Sequence, residues 1–82
     1  MKKINLEKWL YDLGQCERGL NGLKSCQGFL ERANYCAEHG DEEGYNSEIR
    51  NGTGEMLCHM ERLTDWAEIL RESVREIRKK GG

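Results

Sequence analysis

The sequence predicts an all-α protein, an antiparallel helical hairpin of two long helices that dimerises into a four-helix bundle. Three observations carry this expectation. Apolar residues recur in sevens over two separate stretches, proline is absent, and 34% of the residues are charged. Heptads sustained over about four repeats favour helix–helix packing over strands or loops. A proline-free, charge-rich composition suits long exposed helices better than a β-sandwich or barrel, which needs turns at regular intervals.

The first helix is expected over residues 5–38. One column of its heptads is Leu6, Leu13, Leu20, Gln27 and Asn34, and another is Trp9, Cys16, Leu23, Leu30 and Ala37. Asn5 is the expected N-cap, and Ile4 and Trp9 sit where a hydrophobic staple needs them. Gly14, Gly19, Gly22 and Gly28 interrupt this helix. Each costs roughly 0.5–1 kcal/mol against alanine unless a close neighbour exploits the missing side chain.

The second helix is expected over residues 54–79. Its columns are Ile49, Met56, Leu63, Leu70, Ile77 and Thr53, Met60, Ala67, Val74, so the pattern itself begins at Ile49. Arg78, Lys79 and Lys80 complement the negative end of the helix dipole, and Gly81 and Gly82 stop the pattern. Folded onto each other, the columns set Trp9 against Ile77, Cys16 against Leu70, Leu23 against Leu63, Leu30 against Met56 and Ala37 against Ile49. The second columns set Leu13 against Val74, Leu20 against Ala67, Gln27 against Met60 and polar Asn34 against polar Thr53.

Residues 39–53 are expected to form the bend or a short helix. His39-Gly40 ends the first helix, and Asn51-Gly52-Thr53-Gly54 is a second punctuation mark. The same region holds the residues that suggest metal chemistry. Cys36 and His39 have half-site spacing, and Cys58 and His59 would complete a zinc set. Adjacent helical residues point about 100° apart, which disfavours Cys58 and His59 on one ion. Metal is therefore an alternative here, and no cofactor is expected. Asp41-Glu42-Glu43-Gly44 lacks the alternating ligands of a calcium loop.

Off the two seams lie Leu10, Phe29, Leu57, Trp66 and Ile69. Five large apolar side chains on so small a body point to a second contact surface, read here as the interface of a homodimer or of a protein partner. Charge is segregated along the chain. Lys2, Lys3 and Lys8 join the basic second-helix end, while residues 31–55 carry Arg32 and Arg50 against seven acids. An alternative function follows, in which Arg71, Arg75, Arg78 and Lys79 hold a nucleotide or another anion. Alternating Glu72 and Glu76 weaken that field, and the net charge of −2 gives no global bias toward nucleic acid.

No apolar run reaches the ~20 residues that span a bilayer, no secretory signal pattern follows Met1, and the four cysteines are expected to be reduced thiols. A cytoplasmic location is the corresponding expectation. No nucleophile, base and orienting acid stand in a recognisable arrangement, so no catalytic residue is assigned. The resulting expectation is a single-domain, non-enzymatic interaction module over residues 1–82. It would bind or sterically inhibit a larger partner, as a phage-type inhibitor or regulator does.

Overall fold

The computed structural model describes residues 3–81, and it is helical almost throughout. Lys2 of the basic end and Gly82 of the terminal glycine pair lie outside the described residues. Three helices follow one another: α1 (Leu6–Ser25), α2 (Gln27–Glu38) and α3 (Glu42–Gly81). The molecule measures 65 × 14 × 14 Å with a radius of gyration of 18.8 Å. A compact globule of this length would have a radius near 12 Å. At 1.5 Å per residue, the 40 residues of α3 extend about 60 Å. That one helix accounts for the long axis.

α1 starts where a cap is available. The Lys8 N–H donates to Asn5 Oδ1 at 3.1 Å, which satisfies one of the free amides of the first turn. α1 and α2 form one long helix bent at Cys26. There the Cys26 N–H reaches back only three residues to the Leu23 carbonyl, and the Phe29 N–H does the same to Cys26. The Ser25 hydroxyl (2.7 Å) and the Cys26 thiol (3.4 Å) both donate to the Gly22 carbonyl. Side chains competing for a helix carbonyl are a known source of bending.

The corner occupies only residues 39–41. Gly40 has φ +69°. The Asp41 N–H donates to the Cys36 carbonyl (2.9 Å) and the Gly40 N–H to Ala37 (3.4 Å), the paired closing bonds of a Schellman motif. Asp41 then caps α3, its Oδ1 accepting from the Gly44 N–H at 2.9 Å. Replacing Gly40 by alanine forces a side chain into left-handed backbone, so chemical denaturation is expected to show a loss of about 1 kcal/mol.

α3 begins at Glu42, twelve residues before the expected start near 54, and passes through Asn51-Gly52-Thr53-Gly54 without a break. Packing overrides local preference at this point. Gly52 is buried against Phe29, and Thr53 turns its hydroxyl to the Ile49 carbonyl (2.7 Å) instead of capping a new helix.

α3 packs along both α1 and α2, and the contacting residues run in opposite chain directions. Lys8 meets Ser73, Gly22 meets His59, Phe29 meets Gly52 and Arg32 meets Glu48. This register differs by about five residues from the expected one, in which Leu30 lay level with Met56. The helices are also turned. The buried positions of the bent first helix are Asp12 and Gly19 in α1, Cys26 at the bend and Ala33 in α2, a heptad column that the apolar pattern passes over. In α3, the expected column Ile49, Met56, Leu63, Leu70 and Ile77 is half-buried, but its neighbour is Gly52, His59, Trp66 and Ser73 rather than Thr53, Met60, Ala67 and Val74. Small residues let the backbones approach. A Cβ at Gly19 would lie 3.2 Å from Leu63 Cβ, and one at Gly52 would lie 2.6 Å from Phe29 Cβ. Gly14 and Gly54 face open space.

Candidate interaction face

Rotation of the seam leaves much of the apolar surface uncovered. Leu6, Leu20, Leu30, Met60 and Val74 all belong to the expected columns, and all are exposed. Because the contacting helices run in opposite chain directions, columns turned the same way from the seam lie on the same side of the pair. That side combines Trp9, Leu13, Leu23, Leu63, Leu70 and Ile77, all half-buried, with the five exposed residues. The other side carries Gln15, Arg18 and Arg62 around one groove, and the Arg32–Glu48 pair (3.1 Å) farther along. The molecule therefore has one mainly apolar and one mainly polar long side, the latter also exposing Tyr11 and Ile69.

A buried polar cluster built on Asp12 and Ser73 sits within the seam. Asp12 Oδ2 accepts from Lys8 Nζ (2.8 Å) and from the Ser73 hydroxyl (2.8 Å), and Lys8 Nζ also reaches Ser73 Oγ at 2.7 Å. Asp12 is only 3% exposed. This closed triangle ties α1 to one level of α3, since a slide of one turn would leave the carboxylate without Ser73. The hydrogen bonds from Lys8 first, and Ser73 second, hold the Asp12 carboxyl below its ordinary range. A carboxylate with a depressed folded-state pKa stabilises the fold above its unfolded value, and that contribution disappears as pH falls through the folded value. Wild type and Asp12→Asn are thus expected to differ most in unfolding midpoint near neutral pH and to converge in acid. Urea melts across pH check this.

The expected interface residues divide into two groups. Leu10 (52% exposed) and Leu57 (63%) border the apolar side, and Leu57 shares a shallow groove with Met60. Ile69 is also exposed, but it falls in the helical column of Glu55, Arg62 and Glu76 on the polar side. Phe29 and Trp66 are half-buried within the chain. Phe29 packs on Gly52 beneath the Arg32 guanidinium (4.8 Å), and Trp66 meets Tyr11 edge-on with centroids 5.9 Å apart.

The expected anion-binding residues occupy the exposed end of α3. Arg71 pairs with Glu68 (2.8 Å), Arg75 with Glu72, and Lys79 with Glu76 (3.5 Å). Arg78 lies on the same last turn. Exposed pairs like these contribute about 0–1 kcal/mol each, but they offset the positive field that an anion would need.

No three of Cys36, His39, Cys58 and His59 bring ligand atoms together. Among the described residues, the three-ligand cluster that forms is Cys26, Glu55 and His59. His39 stacks on Tyr35 at 4.0 Å, Cys58 is exposed, and His59 packs against Gly22. Burial first, and then the Asp41 carboxylate, push the Cys36 thiol up. Asp12, Ser73 and Gly22 do not stand out as apolar-pattern residues. The signal for Asp12 is its seven-residue spacing with Gly19, Cys26 and Ala33, one position beside the leucine columns, and that for Ser73 is its spacing with Trp66, His59 and Gly52.

No protein-family model, curated protein or solved structure matches the chain. No described helix is long and apolar enough to cross a membrane.

Proposed function

We propose that the chain is an antiparallel helical hairpin that dimerises through its apolar side into a four-helix bundle. The bundle serves as a non-enzymatic binding module, acting by occupying the surface of a larger partner in the cytoplasm. The observation that carries this reading is the placement of Leu6, Leu20, Leu30, Met60 and Val74 on one side of the helix pair, all exposed in the single chain. A two-helix body buries little core for its length. A second copy presenting the same heptads offers matching ridges from the level of Leu6 to that of Leu30, about 36 Å at 1.5 Å per residue. An apolar surface of that length is also far from the single scattered apolar side chains of ordinary protein surfaces.

In the bundle, Leu10 and Leu57 lie at the rim, the acidic bend steers a partner by charge, and the polar sides face outward. Nucleotide or anion sequestration by Arg71, Arg75, Arg78 and Lys79 is less favoured, because Glu68, Glu72 and Glu76 already pair with three of them. Sedimentation velocity over a concentration series tests the assembly. The expected result is a dimer with an elongated frictional shape, and a monomer persisting at high concentration would overturn it.

A further inference from the structure

The geometry points to a zinc-class metal site formed by Cys26, Glu55 and His59, clipping the bend of the first long helix to α3. The Cys26 thiol, a Glu55 carboxylate oxygen and a His59 ring nitrogen all lie within 4.8 Å of one another. Tetrahedral zinc, with bonds of about 2.0–2.3 Å, places its donors roughly 3.3–3.7 Å apart. The cluster therefore needs only side-chain adjustments of about an ångström to close on an ion.

The arrangement has features that an incidental cluster does not require. Glu55 and His59 are four residues apart on α3, the spacing that puts two side chains on one helix face. Cys26 comes from the opposing segment at its bend, and it is 1% exposed. Gly22 makes room for the imidazole, since a Cβ there would clash with His59 Nδ1. The Cys26 thiol has only a long 3.4 Å contact to the Gly22 carbonyl to give up. On binding, the thiol proton passes to solvent and the sulfur joins as thiolate, beside a neutral imidazole and a carboxylate. One sulfur, one nitrogen and one oxygen suit zinc or cobalt better than magnesium or calcium, which take oxygen. The fourth tetrahedral position is open to water on the exposed Glu55 side. Cys26 and His59 lie in the seam and Glu55 on its polar side, so the site is independent of the dimerising face proposed above.

The test uses the reduced, metal-free full chain titrated with cobalt(II) chloride, followed by displacement with zinc. The expected result is a thiolate-to-cobalt charge-transfer band with intense tetrahedral ligand-field bands, lost in Cys26→Ala and retained in Cys58→Ser. Zinc is also expected to raise the thermal midpoint, because it binds the folded state preferentially. Glu55→Gln, an exposed substitution that leaves the fold intact, is expected to weaken cobalt binding by at least about tenfold. Absence of the charge-transfer band in wild type would overturn the assignment. Its persistence in Cys26→Ala, or unchanged affinity in Glu55→Gln, would do the same.

Discussion

Substituting Leu20 and Val74 together by glutamate is expected to convert the proposed dimer into a helical monomer. Both side chains are already half-exposed in the single chain, at 46% and 49%, so the helix pair loses little by the change. In a two-fold dimer each substitution occurs twice. Fully burying a leucine or valine contributes about 1.5–3 kcal/mol, and about half of each is still exposed here, so the loss per substitution, counted twice, is about 1.5–3 kcal/mol before any cost of desolvating the new carboxylates. With 1.4 kcal/mol per factor of ten, the two substitutions together weaken association by at least about a hundredfold. Sedimentation velocity reads the association, and far-ultraviolet circular dichroism at matched concentration reads whether the helices persist. Ile69→Glu serves as the control, because Ile69 shares its column with Glu55 and Glu76 on the polar side. It is expected to leave association unchanged despite its comparable exposure.

Glycine-to-alanine substitutions in α3 are expected to change stability in opposite directions only two residues apart. Alanine at an open helical position gains roughly 0.5–1 kcal/mol over glycine. Gly54 is such a position, with nothing within 4 Å of an added Cβ, so Gly54→Ala should stabilise by that amount. At Gly52 the added methyl would sit 2.6 Å from Phe29 Cβ and 3.0 Å from its Cγ. Those atoms lie close to the main chain and cannot swing away as a lysine tip would. Overpacking typically costs 1–3 kcal/mol, which outweighs the propensity gain. Gly52→Ala should therefore lower stability by about 1–2 kcal/mol. Urea unfolding of the two variants beside wild type measures both. Stabilisation at both positions would mean that Gly52 is not at a helix–helix contact.

The α-helical class and the Asn5 cap were legible in the sequence because both are local. Asn5 sits one residue before a heptad pattern begins, and the bonding needed is three residues long. Gly40 as the terminator of α2 was legible for the same reason. The register was not. Apolar residues at sevens tell which sides of two helices avoid water, but Leu20 and Met60 avoid it equally well against their own partner helix or against another chain. What selects the observed seam is close approach at Gly19, Gly22 and Gly52 together with the closed polar triangle of Lys8, Asp12 and Ser73. Both are properties of a pair of segments, and neither raises the apolar periodicity of either one. The continuation of α3 through Asn51-Gly52-Thr53-Gly54 has the same origin. Two glycines and a threonine read locally as a boundary, yet Gly52 is where Phe29 needs a helix without a side chain.

The Cys26, Glu55 and His59 cluster was hidden for a related reason. Cysteines and histidines near the bend drew attention by their closeness in sequence. Cys26 and His59 are brought together only by the register, and Glu55 joins them through one turn of α3.

The central claim is that the two halves of one chain pack with the column Asp12, Gly19, Cys26 and Ala33 against the column Gly52, His59, Trp66 and Ser73, and leave the leucine columns on a shared outer side. Isotope-filtered nuclear Overhauser spectroscopy on mixed labelled and unlabelled protein tests it most directly. Cross-peaks from the Phe29 ring to the Gly52 α protons, and from the His59 ring to the Gly22 α protons, are expected within a single labelled chain. Finding those contacts only between differently labelled chains, or finding Leu30 against Met56 with Phe29 remote from Gly52, would contradict it.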